Sequence, residues 1–81
     1  MTVREIRQLL ANSIVVTIYP LGLYATGLVY FKGSATDIPE ILFDEDVLGL
    51  LPFSRFEQGI SIEFDDHLLN KLNKLYKEDV Q

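Results

Sequence analysis

At 81 residues the chain has room for one domain, read here as a single small α+β unit over residues 1–81. With no cysteine, it can use neither a disulfide framework nor a thiolate zinc site. Seven Lys and Arg against twelve Asp and Glu give a formal net charge of −5, the wrong balance for holding phosphates, so direct DNA or RNA binding is not expected.

Apolar residues make up 48% of the chain, enough for a core and too many for wholesale disorder. A domain this small buries only about 60% of the surface its unfolded chain exposes, and self-association is one route to extra stability.

Thr2 and Glu5 have the spacing of a capping box, in which hydroxyl and carboxylate each serve a backbone N–H at a helix start. Val3, Ile6, Leu9 and Leu10 then recur at helical spacing, predicting a short helix to about Ala11 that Asn12 and Ser13 end. From Ala11 to Phe31 no residue is charged, a run of 21 positions that is long enough to span a bilayer. Its interior argues for a different reading. Ile14-Val15-Val16-Thr17-Ile18-Tyr19 and Leu23 to Phe31 are β-branched and aromatic stretches either side of Pro20-Leu21-Gly22, which predicts a hairpin. Glu5 also stands where a signal peptide would be basic. No membrane partner is expected.

Lys32-Gly33-Ser34 closes the second strand. Asp37 is the expected N-cap of a short helix with Pro39 in its first turn, where a missing N–H costs nothing. Asp44, Glu45 and Asp46 mark a solvated break. Val47 to Phe53 reads as a third strand at an edge, since Pro52 cannot donate to a ladder. Ile60-Ser61-Ile62-Glu63-Phe64 alternates cleanly, with Ile60, Ile62 and Phe64 inward. The chain closes with a helix: Asp65 and Asp66 at its start suit the helix dipole, as do Lys71, Lys74 and Lys77 later, and Leu68, Leu69, Leu72, Leu75 and Tyr76 form one apolar stripe. The expected fold is α+β, an antiparallel sheet of about four strands with the N- and C-terminal helices packed on one face.

The residues offer little chemistry. A metal site needs several converging ligands, and Asp65-Asp66-His67 in sequence reads instead as a capped helix start with a surface histidine. Ser13, Ser34, Ser54 and Ser61 have one histidine between them and no nucleophile elbow. Asp44, Glu45 and Asp46 lack the alternating oxygens, turn glycine and distal Glu of a calcium loop, and read as an acidic surface. The chain is therefore read as non-enzymatic, with no catalytic or metal residues, no cofactor and no small-molecule substrate.

The hairpin is the oddity. Ile14, Val16 and Ile18 share one side of the first strand and Val15, Thr17 and Tyr19 the other, while Tyr24, Thr26, Leu28 and Tyr30 share a side of the second. Both faces are then largely apolar, although a sheet with helices on one side needs only one apolar face. Either the second face is covered within the fold, or it is a protein interface with Tyr19, Tyr24, Leu28 and Tyr30 as anchors for a protein partner or a second copy. A second functional reading uses the carboxylates, Asp44, Glu45 and Asp46 among them, to imitate nucleic-acid phosphates for a basic protein.

Phe31-Lys32-Gly33-Ser34-Ala35-Thr36-Asp37-Ile38-Pro39-Glu40 resembles a segment of small uncharacterised accessory proteins of phages and mobile elements in Gram-positive bacteria. In those, a helix and hairpin lead into a Gly-x-Ala-x-Asp-Ile-Pro stretch and a strand beginning with Val; Gly33, Ala35, Asp37, Ile38, Pro39 and Val47 fit that outline. The resemblance covers roughly the first sixty residues and leaves out the C-terminal helix. It implies a cytoplasmic accessory protein and carries over no site residues.

Overall fold

A computed structural model describes residues 1–11, 13–23 and 26–79, with residues 76–79 described as helix backbone only. Its elements are α1 (Val3–Leu9), β1 (Val15–Pro20), β2 (Phe31–Ser34), β3 (Val47–Ser54), β4 (Glu57–Ile62) and α2 (Asp66–Asp79), with two 3₁₀ turns, Ala35–Asp37 and Glu40–Leu42, between β2 and β3. The class is α+β.

The α1 start is the capping box: the Thr2 amide donates to Glu5 Oε1 at 3.2 Å, and the Glu5 amide to Thr2 Oγ1 at 3.4 Å. Two further first-turn amides, Val3 and Arg4, donate to the carbonyls of Glu45 and Phe43, so the loop before β3 completes the helix end. Leu10 turns extended, which ends the helix two residues short of Ala11.

The strands lie in the order β2-β1-β4-β3. β1 runs antiparallel to β2, and β3 antiparallel to β4, but β1 and β4 are parallel, Ile18 beside Ile60 and Pro20 beside Ile62. The sheet is thus mixed, and the expectation of an antiparallel sheet is corrected. The physical reason lies in burial. β1 and β4 carry the strongest inward alternation, Val16 with Ile18 and Ile60 with Ile62, all fully buried. Putting both in the centre leaves Lys32-bearing β2 and Pro52-bearing β3 as edges, where charge and a missing donor are tolerated. Those four side chains form one core cluster with Val3 and Ile6 of α1, Leu68 and Leu72 of α2, Tyr30, and Ala35, Ile38 and Leu42 from the 3₁₀ region. Burying each of the larger ones contributes about 1.5–3 kcal/mol.

Three local expectations are also corrected. The second hairpin strand is Phe31–Ser34, and the described residues of 21–30 are irregular, because Gly22 and Gly27 both adopt positive φ (84° and 79°) and make turns. Thr26 tightens that connection: its amide and its hydroxyl both donate to the Leu23 carbonyl. The single short helix beginning at Asp37 is instead two 3₁₀ turns, since the residue before a proline avoids helical backbone and Ile38 stays extended at ψ 126°. Ser34, not Asp37, caps the first of them, accepting from the Thr36 amide. Finally, β4 ends at Ile62, so Phe64 lies beyond the strand and is 44% exposed.

Candidate interaction surface

Of the four residues expected to anchor a partner, Tyr24 lies outside the described residues. Tyr19 points to the sheet face opposite the core and yet is only 7% exposed, its ring stacked on Phe53 of β3 with centroids 6.5 Å apart. Thr17 and Ser61 on the same face are buried too. Gly59 makes this layering possible: a Cβ there would come within 2.6 Å of the Phe53 ring. Leu28 is half-buried on the irregular connection. Tyr30 is 1% exposed and belongs to the core cluster. Its amide donates to the Ile18 carbonyl at 2.7 Å, and its hydroxyl accepts from the Asp65 amide at 2.8 Å while donating to the Glu63 carbonyl at 3.3 Å. Burial pushes the Tyr30 hydroxyl pKa up, partly opposed by the Asp65 bond. The structure therefore does not bring Tyr19, Leu28 and Tyr30 to one accessible patch.

The acidic residues do converge. Glu45, Glu63, Asp65 and Asp66 line an open cleft of about 430 Å³ with Phe64 and His67, at the end of the sheet where β3 begins and β4 ends. Asp44 and Asp46 are exposed beside it, and Asp44 pairs with Arg4 at 3.3 Å. Burial first, and then the neighbouring Asp65, Asp46, Glu63 and Asp44, raise the Glu45 carboxyl pKa. Asp65 also caps α2, its Oδ1 accepting from the amides of His67 and Leu68. Among the described residues, no three His, Asp or Glu side chains are placed to hold a metal ion.

The feature that stands out on the surface is one the sequence reasoning missed. β3 is an outer strand, and Leu48, Leu50 and Leu51 are each about half exposed along it, with Phe56 at the following turn 64% exposed. The whole strand, Val-Leu-Gly-Leu-Leu-Pro-Phe-Ser, carries no charge. Residues Met1 and Thr2 cover its start, where the Val47 amide donates to the Met1 carbonyl and Thr2 bridges Asp46. Beyond that point, no strand among the described residues pairs with the outer side. Register shifts fall between Val47 and Gly49 and between Pro52 and Ser54, so the regular ladder is confined to the middle of the strand. The absence of Lys or Glu from a strand already suspected as an edge was the available signal, because edge strands usually carry such residues.

No family model matches the chain, and no curated protein or solved structure is similar to it. No helix among the described residues is long and apolar enough to cross a membrane. The described part of the uncharged 11–31 run is largely β1 and the irregular connection after it.

Proposed function

We propose that the chain is a small non-enzymatic interaction module whose docking surface is the free side of β3. One observation carries this reading: three half-exposed leucines share one uncharged outer strand, whereas other exposed apolar residues, Leu9, Leu21, Ile41 and Leu75 among them, stand on separate elements. Both helices are taken to cover the Val16–Ile18 face, which leaves β3 as the accessible flank. The partner it suits is an extended, apolar segment lying along β3, adding a few backbone hydrogen bonds at Gly49–Leu51 and covering Leu48 and Leu50. Tyr19 and Tyr30, already used inside the fold, support the architecture rather than the contact. A cytoplasmic accessory role, which the Gly33–Val47 resemblance implies, fits such a module.

The test is site-specific photo-crosslinking in the source cell, with a photoreactive phenylalanine replacing Leu50 and, as control, Gln8 on the exposed side of α1. A discrete adduct is expected from position 50 alone, and its sequenced peptide should be uncharged and apolar. Equal or diffuse labelling from both positions would sink the reading.

A second reading has its own observation, the convergence of Glu45, Glu63, Asp65 and Asp66 on one cleft. It makes the cleft a seat for a basic protein, in place of nucleic acid. Binding of such a protein should be lost when Glu63 and Asp66 are changed to Lys and should survive Leu50→Asp, whereas contact along β3 should respond the other way round.

A further inference from the structure

The β3 edge also indicates who the partner is. Its neutral segment, Leu48–Ser54, is bracketed by opposite charges: Asp44, Glu45 and Asp46 precede the strand, and Arg55 follows it. The charge contrast is reinforced in three dimensions, because Glu63, Asp65 and Asp66 join Glu45 at the cleft beside the strand's start. Arg55 is exposed, and it makes no ion pair among the described residues, where Arg4–Asp44 is the ion pair found.

A strand with this polarity is complementary to itself when reversed. We infer that the occupant of the β3 edge is a second copy of this chain, paired antiparallel about a two-fold axis near Leu50. This rests on the reading of β3 as the docking surface. Antiparallel two-fold pairing keeps each sheet face continuous with its mate, so a residue must meet one of the same facing, and Leu50 opposite Leu50 satisfies this. Met1 and Thr2 cover the outer side at Asp46 and Val47, so the ladder between copies is confined to about Leu48–Pro52. Beyond its ends the antiparallel direction brings each Arg55 to the same end as the exposed Asp44 and Asp46 of the other copy. Both ends gain opposite-charge contacts, and the middle gains leucine burial without stranding a charge. A parallel pairing would set Arg55 beside Arg55 and the acidic triplets beside each other, so charge selects the antiparallel arrangement. Pro52 lacks a donor, and the register shifts shorten the ladder, so contact is at the small end of stable interfaces and the dimer is reversible.

Sedimentation velocity over a concentration series tests this, with circular dichroism confirming that each variant folds. The wild-type chain is expected to move from monomer to dimer as concentration rises, and Leu50→Asp to remain monomeric. Arg55→Glu alone, and Asp44→Lys with Asp46→Lys, should each weaken self-association at least tenfold. An equimolar mixture of the two charge variants should restore dimer, because each then meets its complement at both ends. These charge variants alter exposed side chains only, so they remain informative should Leu50→Asp fail to fold. A dimer indifferent to Leu50→Asp, or variants whose mixture gives no recovery, overturns the inference. A chain that stays monomeric at the highest concentration also overturns it. If that monomer still crosslinks from position 50 to a different protein, the docking surface stands and only the second copy is wrong. Absence of both signals removes the two together.

Discussion

The Tyr30 hydroxyl sits between the Asp65 amide and the Glu63 carbonyl, 2.8 and 3.3 Å away, and so links the residue before β2 to the junction of β4 and α2. Its ring is packed in the core while its oxygen serves two backbone groups 33 and 35 residues further on. An aromatic that on sequence pattern suits an interface is here the pin that holds the second helix in place.

Tyr30→Phe keeps the ring and removes the pin. The Asp65 amide and the Glu63 carbonyl then lose a partner in a part-buried setting, which costs about 1–3 kcal/mol. Urea denaturation should show the loss as a lower midpoint with an unchanged slope. Tyr30→Asp should do far worse, because it places a carboxylate in the core, so it is a test of folding and not of partner binding. A Tyr30→Phe variant as stable as the wild type would show that water replaces the hydroxyl at no cost.

Gly59→Ala tests the second sheet face. The added methyl would lie 2.6 Å from Phe53 Cζ and 3.0 Å from the Leu51 carbonyl oxygen, so the Phe53 ring must leave its place over the strand and its stack on Tyr19. Overpacking of this kind costs about 1–3 kcal/mol. The near-ultraviolet tyrosine signal should change with it, since Tyr19 loses its ring neighbour. Gly59→Ala with normal stability and an unaltered spectrum would mean that Phe53 is free to move and that this face is loosely packed.

How far the fold could be read in advance varied with the range of the interaction that decides each part. Short-range chemistry was legible: the Thr2–Glu5 capping box, the Ile60–Ile62 alternation and the edge character of Pro52 are present. Of the expected stripe on the last helix, Leu68, Leu69 and Leu72 face the core, while Leu75 is 40% exposed and the Tyr76 side chain lies outside the described residues. Leu23 to Phe31 misled because β-branched and aromatic residues outnumber Gly27, yet one glycine at positive φ is enough to break a strand. The parallel pairing of β1 with β4 was not legible at all. Each strand's pattern shows which side faces inward but is silent on its neighbour and its direction. The exposure of Leu48, Leu50 and Leu51 was half legible, since Pro52 marked their strand as an edge and no charge protects it.

Glu45 makes stability fall as pH rises. Its folded pKa is raised, by burial first and by the surrounding carboxylates second, above an ordinary value near 4.5. The folded state therefore holds this proton more tightly than the unfolded chain does. The gain is fully present below the unfolded pKa and is lost as pH climbs through the raised folded value. Glu45→Gln removes the charge and should flatten that part of the curve, leaving the variant more stable than wild type near neutrality and nearly equal to it in acid. Urea midpoints from about pH 4 to about pH 8 measure this. A wild-type curve that rises through the same interval, with no effect of Glu45→Gln upon it, would mean that Glu45 does not carry the carboxylate strain at the cleft.

Asp65 has two roles that pull in opposite directions, and two substitutions separate them. As N-cap it accepts from the His67 and Leu68 amides and starts α2; as a charge it is the largest carboxylate contribution to the raised pKa of Glu45. Asp65→Ala loses the cap, at a cost of about 1 kcal/mol. Asp65→Asn keeps an equally good cap, gives up about 0.3–1 kcal/mol of helix-dipole attraction and relieves Glu45. Thermal unfolding near neutral pH should therefore rank wild type and Asp65→Asn close together, with Asp65→Ala clearly below. Asparagine should also reduce the loss of stability with rising pH, because Glu45 then ionises against one carboxylate fewer. Asn and Ala variants of equal stability would mean that the capping bonds contribute little and that α2 is held by Leu68 and Leu72 in the core.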